Sequence, residues 1–302
     1  MNSDPEQKNP TPIISVGLPV YNGGDLLKVI ISSILSQTYT DFELIISDNA
    51  SEDQTKEICK EYIKNDPRIR YHRNNENIGD GRNFGRALSL AKGKYFIWAA
   101  HDDEWLPNHL ETLTPALDKN DDVVLSVSGW ESFDADGKKI ESHSKLPPQS
   151  IVGSSKRSTF RRYLTAPYWD VQKACFAYGL MRRNVIQALP VADMLADRSA
   201  IGRDVLFILA VLSKGSLAYT PTVTWRYRHV KPRKRRTMQK KAYDLLRFPT
   251  EALFGKRKQA WARITAFHRQ VDTLITKEFG GNLLLRTANL YNTIRLCALF
   301  KH

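Results

Sequence analysis

A chain of 302 residues is long enough for one large domain, or for a domain with an appendage. Charged residues make up 25% and hydrophobic residues 42%, the balance of a globular protein, and no apolar run reaches the roughly 20 residues that span a bilayer. The formal net charge of +13 belongs to one end: Trp225 to His302 hold 19 Lys and Arg against 4 Asp and Glu, and the preceding 224 residues hold 26 against 28. Such a distribution argues against a nucleic-acid-binding core and for a basic appendage on an ordinary domain.

Residues 1–12 are polar, proline-punctuated and free of an apolar signal core, so a disordered N-terminus is expected. Ile13–Leu18 is a short apolar run ended by Pro19 and the turn residues Asn22-Gly23-Gly24. From Asp25 the spacing is helical, with Leu27, Ile30, Ile31, Ile34 and Leu35 on one stripe. Phe42–Ser47 reads as a second strand, followed by Asp48-Asn49-Ala50-Ser51. Ser51 and Gln54 have the spacing of a capping box before a helix whose face is Thr55, Ile58, Cys59, Tyr62 and Ile63. Ile69–Arg73 is a third strand. Asn77-Ile78-Gly79 opens a helix carrying Phe84, Ala87, Leu88 and Ala91, which Gly93 stops. Tyr95–Ala100, apolar and aromatic, reads as a buried strand that ends abruptly in His101, Asp102, Asp103 and Glu104. A helix from about Pro107 with Leu110, Leu113 and Leu117 follows, then a fifth strand at Val123–Ser128.

Strand and helix alternate across these 128 residues, which predicts an α/β fold with a parallel sheet flanked by helices. Ligands of such sheets bind beyond the carboxyl ends of the strands. Tyr21-Asn22, Asp48-Asn49 and His101-Asp102-Asp103 all fall there and are expected around one crevice. Adjacent carboxylates at the end of a buried strand are costly without a cation. A hard divalent ion, Mg²⁺ or Mn²⁺, carrying a phosphate-bearing ligand meets that need, because it takes few protein oxygens. A polar turn capping the next helix is the competing reading. Neither a Gly-x-Gly-x-x-Gly fingerprint nor a Gly-x-x-x-x-Gly-Lys-Ser/Thr loop occurs, so phosphate would rely on a metal and basic side chains, Arg82 among them. Cys59, Cys175 and Cys297 are widely spaced, form no metal or disulfide framework, and suit a reducing, cytoplasmic setting.

The segments PVYNGGDLLKVIISSILSQTYTDFELIISDNASEDQT and NIGDGRNFGRALSLAKGKYFIWAAHDDEWLPNHL closely resemble the nucleotide-sugar half of family 2 glycosyltransferases. The resemblance covers residues 13–117 and extends more weakly to 229. It implies a GT-A-type, mostly parallel sheet over 13–229, with a nucleotide-sugar half (13–128) and an acceptor half (129–229), followed by a basic helical extension over 230–302. It also implies roles. Pro19, Val20 and Tyr21 would line the nucleoside pocket, Asp48 would accept from the base, and Arg82 would approach the base or the phosphates. Asp102 would contact the ribose or the metal shell, and Asp103 would bind Mn²⁺ or Mg²⁺ at the diphosphate. Ala100 stands where the family's common Asp-x-Asp has its first Asp.

The second half is less regular. Asp134-Ala135-Asp136-Gly137 is a hairpin signal, and Ser142–Ser158 reads as a loop over the crevice. Phe176–Met181 reads as a strand and Val205–Leu212 as the core of a helix. Asp204, just before that helix, is by resemblance the general base that takes the acceptor proton; by local pattern it is equally an N-cap. Tyr168 and Trp169 are candidates for an acceptor platform, and His229, ending Trp225–His229, for the diphosphate or metal. Lys231–Arg236 is a dense basic run without interleaved aromatics, unlike a nucleic-acid reader. Helices are expected at Ala242–Phe254 and Lys258–Thr276. Leu283–Phe300 would lie on a membrane surface at the inner face of the cell, join a homodimer, or pack on its own domain. The resulting expectation is a metal-dependent, inverting transfer of a sugar from a nucleoside diphosphate donor, most simply a UDP-sugar, to a saccharide or glycolipid hydroxyl in bacterial polysaccharide or glycoconjugate synthesis. The alternative is a scaffold of the same fold that binds a nucleotide without turnover.

Overall fold

The computed structural model describes residues 11–134, 137–140, 150–166, 171–197, 202–228 and 250–299. His229, Lys231–Arg236, Tyr168, Trp169, residues 142–149 of the expected crevice loop and the first eight residues of the expected Ala242–Phe254 helix lie outside the described residues.

The first part alternates as expected: β1 (Ile14–Val20), α1 (Leu26–Leu35), β2 (Phe42–Asp48), α2 (Thr55–Asn65), β3 (Ile69–Arg73), α3 (Asp80–Ser89) and β4 (Tyr95–Trp98). β1 pairs in parallel with β2 and β4, and β2 in parallel with β3. All seven residues of both β1 and β2 are buried. Their largely apolar sequences follow from a sheet covered on both sides, with Ser15, Glu43, Ser47 and Asp48 as the buried polar exceptions. Successive residues feed two cores: Leu44, Ile46, Tyr95 and Ile97 enter one, Ile45, Phe96 and Trp98 the other.

The remaining elements are β5 (Glu104–Trp105), α4 (His109–Lys119), β6 (Val123–Phe133), β7 (Lys139–Ile140), α5 (Lys156–Thr165), α6 (Val171–Cys175), β8 (Leu180–Arg182), α7 (Arg183–Gln187), α8 (Val191–Ala196), α9 (Arg203–Leu212), β9 (Ser216–Arg228), α10 (Thr250–Phe279) and α11 (Leu283–Leu299). The sheet runs β3-β2-β1-β4-β8-β6-β9-β5, with β7 on β6. β8 is antiparallel to both β4 and β6, so the expected fifth strand does not sit beside the fourth. Of the expected Phe176–Met181 strand only Leu180 and Met181 are extended, continuing to Arg182; Phe176–Tyr178 form a 3₁₀ turn instead. Gly179 lets this segment close onto β6, since a Cβ there would lie 2.6 Å from the side chains of Leu125 and Val127.

One cap differs as well. Ser51 and Gln54 form no capping box. Ser51 Oγ is turned toward the β1 loop, and Asp53 Oδ1 accepts from the Thr55 amide at the start of α2. At the other end, Gly280 and Gly281 (φ +59° and +69°) turn α10 into α11. Ile264, Phe267, Val271 and Ile275 of α10, with Leu285 and Ala288 of α11, join the core that includes Phe160 and α9. One face of the C-terminal helices therefore packs on its own domain. Among the described residues no helix is long and apolar enough to cross a membrane.

Candidate active site

The loops after β1 and β2 are stitched together. Ser51 Oγ accepts from the Asn22 amide, Asn22 Oδ1 from the Glu52 amide, and Thr55 Oγ1 from the Gly23 amide, each at 2.9 Å. Asn22 holds φ +52°, a region that asparagine enters more readily than most residues. Pro19 and Val20 remain inside β1, and Tyr21 is the first side chain to emerge, 42% exposed. Asp48 ends β2 fully buried. Its Oδ1 accepts from the Ser51 amide (2.9 Å), and its Oδ2 from Tyr71 Oη (2.6 Å) and Arg73 (2.7 Å). Burial opposes its charge, yet these bonds from Ser51, Tyr71 and Arg73 outweigh it and hold the carboxyl below the ordinary carboxylate value. Arg82 is exposed on α3, one residue before Asn83, whose amide is anchored on Ser47 at the end of β2.

The Asp102-Asp103 turn is pinned from the far side of the sheet. Asp103 is 2% exposed and its Oδ1 accepts from the Arg228 amide at 3.1 Å, while the Asp102 carbonyl accepts from Arg228 Nε at 3.2 Å. The next two residues are β5, paired with Trp225 and Arg226 of β9; Arg226 bridges Glu104 (3.0 Å) and Glu131 (2.9 Å). Burial first, and the neighbouring Asp102 charge second, push the Asp103 carboxyl well above its ordinary value, against the weaker pull of Arg228. A buried carboxylate in that state fits a divalent cation. Among the described residues no three His, Cys, Asp or Glu side chains converge. A metal here would therefore rest on the Asp102-Asp103 pair and complete its shell with phosphate and water oxygens.

Beside this turn lies a cavity of about 620 Å³, lined by Phe84, Trp98, Tyr178, Phe207 and Tyr227 with Asp80, Arg203 and Asp204 at its polar edge. Its closeness to the turn shows in the phenols. Burial and then Asp103 raise Tyr178; burial first, with Cys175 and then Asp103, raises Tyr227. Asp204 is the second residue of α9 and half-buried. The N-cap is Gly202 (φ +64°), so Asp204 is not the cap. Arg203 pairs with Asp80 across the cavity and donates to the Leu195 carbonyl at 2.6 Å. This wall is tight: a Cβ on Gly81 would lie 2.3 Å from the Ala196 amide nitrogen, and one on Gly85 2.5 Å from the Ala192 Cβ. α3 rides on α8 at near backbone contact.

Tyr21 follows β1, Asp48 ends β2 and Arg82 lies in the first turn of α3, while Asp102 and Asp103 occupy the turn after β4 and Asp204 lines the cavity. Sequence reasoning missed Arg73, Arg228, Tyr178, Phe207 and Tyr227. Arg73 and Arg228 each end a strand next to a carboxylate partner, a signal that alternating WRYR and IRYHR patterns carried.

The model of the family described as glycosyl transferase family 2 matches residues 15–189, more than half of the chain. The uncharacterized glycosyltransferase YibD of Escherichia coli is 36% identical over 163 residues, which is 53% of this chain and 44% of that protein. The putative teichuronic acid biosynthesis glycosyltransferase TuaG of Bacillus subtilis is 29% identical over 154 residues, 51% of this chain and 61% of that protein. Against uncharacterized glycosyltransferases of Rickettsia bellii and Rickettsia typhi, the chain spans only 20% and 40% of their lengths. Two solved structures share the fold at 14% identity: TarS 1–349 of Staphylococcus aureus with UDP (TM-score 0.59, 95% of this chain and 90% of that one), and the Pyrobaculum calidifontis mannosyltransferase PcManGT with GDP-Man and Mn²⁺ (TM-score 0.53, 95% and 74%). The expected GT-A-type fold, with helices appended at its end, is the one observed. With its fold and its matched residues in agreement, the chain belongs to glycosyltransferase family 2.

Proposed function

We propose that this protein transfers a sugar from a nucleoside diphosphate sugar to an acceptor hydroxyl with inversion, in the synthesis of a bacterial surface polysaccharide or glycoconjugate. The observation that carries this reading is Asp103: a buried carboxylate under-compensated by its surroundings, whose charge acts on Tyr178 and Tyr227 of a cavity that also holds Asp204. A divalent ion bound there, Mn²⁺ or Mg²⁺, supplies positive charge against the leaving diphosphate. Asp102 and Asp103 would hold it, and Arg82 would add positive charge toward the phosphates. His229 is assigned to the same group as an additional contact.

At the far corner Asp48 is closed off by its own chain. The base contact is therefore assigned to the Asp48–Arg73 pair, with Arg73 as the member that reaches solvent. Tyr21 lies against the nucleoside, with Pro19 and Val20 as its backing. In the cavity the rings of Phe84, Trp98, Tyr178 and Tyr227 offer apolar faces to sugar rings. Asp204 accepts the proton of the acceptor hydroxyl as that oxygen attacks the anomeric carbon. The proton moves from hydroxyl to carboxylate, and the diphosphate leaves with the bonding electron pair from the opposite face. UDP in the TarS complex supports a uridine donor, and the teichuronic acid relative supports a polysaccharide acceptor.

Calorimetric titration of UDP, GDP, CDP and dTDP, with and without Mn²⁺, tests the donor half. One diphosphate should bind with the metal and fail to bind Asp103→Ala. No binding under any condition would sink the proposal. A second reading, a scaffold without turnover, draws on Ala100 in the first position of the acidic motif. Slow donor hydrolysis without acceptor favours the enzyme, and its complete absence favours the scaffold.

A further inference from the structure

Three leucines of α11 stand apart from every other large apolar side chain among the described residues. Leu283 is 78% exposed, Leu284 55% and Leu290 52%, while the next most exposed, Tyr21, belongs to the crevice. The helix already has a core-facing side, since Leu285 and Ala288 are buried against the domain. A surface helix ordinarily presents polar residues opposite its buried stripe. Here the outward side carries leucines beside the exposed Arg286, whose guanidinium bonds Thr276 (2.9 Å) and lies 3.8 Å from Asp272.

We infer that this face of α11 seats the protein on an anionic lipid bilayer. Charge selects that occupant. From Trp225 to His302 the chain carries 19 basic against 4 acidic residues, a net of +15, and the remaining 224 residues sum to −2. From Leu283 to His302, the helix and the residues after it, the sequence holds three basic residues and no acidic one, so a second copy on this face would meet like charge. An anionic surface attracts it, with each basic residue near the surface strengthening binding by roughly fivefold. The leucines supply the apolar part, as in a helix lying in the interface plane. One signal alone holds a membrane weakly; the two together anchor stably. This goes beyond sugar transfer and does not depend on it.

Flotation of the full chain with vesicles tests it. Wild type should float with vesicles of equal phosphatidylglycerol and phosphatidylcholine, poorly with phosphatidylcholine alone, and less at 0.5 M salt, where screening shortens to about 4 Å. The triple variant Leu283→Ser, Leu284→Ser, Leu290→Ser should keep the wild-type melting curve, because all three side chains are already exposed, and lose about a hundredfold in vesicle partitioning. Equal binding of neutral and anionic vesicles, or undiminished binding of the triple variant, would overturn the inference. So would a wild-type dimer in solution that the triple variant converts to monomer, for that would assign the face to a second copy. Vesicle binding is read without donor or acceptor, so loss of the transferase reading and loss of this one remain separate results.

Discussion

The strand-end loops around Asp48, the proposed donor crevice, and the cavity around Asp204 are held by different forces. The crevice is a set of short loops locked by directional bonds between side chains and amides: Ser51 to Asn22, Thr55 to Gly23, Asp48 to Ser51. The cavity is a set of rings in contact. Phe84 and Trp98 lie 6.0 Å apart and Trp98 and Phe207 5.5 Å, centroid to centroid, contributed by α3, β4 and α9. Hydrogen bonds at fixed angles tolerate little displacement, whereas ring packing accepts another shape of similar volume at modest cost. On the proposed reading, the side that would read one invariant group, a nucleoside diphosphate, is built the first way, and the side that would suit a particular acceptor is built the second way.

Substitutions can separate the two. Asp103→Ala should have the largest effect, abolishing metal-dependent nucleotide binding, while its melting temperature holds or rises because a buried, under-compensated charge is removed. Nucleotide calorimetry beside a melting curve checks both halves of that statement. Asp204→Asn should lower kcat by about 10² to 10⁴ with nucleotide affinity unchanged. A matching loss of affinity would mean that the two regions are not separable. Phe207→Ala should cost about 3 to 5 kcal/mol of stability by leaving a void next to Trp98, and raise the acceptor KM without altering the donor KM. Denaturant titration and two-substrate kinetics read those effects.

Asp48→Asn is the smallest and tests the directional side. The folded carboxyl titrates below its unfolded value, so its stabilisation is fully present above about pH 4 and is lost as pH falls through the lower folded value. The variant should be less stable by about 1 to 3 kcal/mol at pH 7, and the gap should close in acid. A gap independent of pH would show that shape rather than charge matters at Asp48.

The same contrast explains what could be read from the chain. Each cluster proposed to face the donor follows its own strand, so the strand-end positions of Tyr21, Asp48 and Asp103 were legible from the apolar runs, and the helix faces with Leu27, Ile30 and Ile34 or Leu110, Leu113 and Leu117 are the buried ones observed. β5 was not legible, because two residues carry no period and Glu104-Trp105 looked like the turn before a helix. A strand was expected near β8, but its bounds and its place between β4 and β6 were not legible, because they depend on contacts with residues far away in sequence. The ring lining of the cavity has no local spacing at all. Phe84 and Phe207 read as ordinary helix-core residues, and only the assembled sheet brings them to Trp98. The cap at Ser51 failed for a related reason: a hydroxyl that suits its own helix was recruited by a neighbouring loop.

The short link between β4 and β5 has a further consequence. Only residues 99–103 separate a strand in the middle of the sheet from the one at its far edge, with β8, β6 and β9 between them in the hydrogen-bonded order. A connection that brief leaves no slack, and it is fastened at Ala99 to Gly17, at Asp103 to Arg228 and at Leu106 to Thr224. The two carboxylates ride on this strap. Their backbone freedom was surrendered when the sheet formed, so a ligand arriving there meets a preorganised pair and spends little of its binding energy on ordering it.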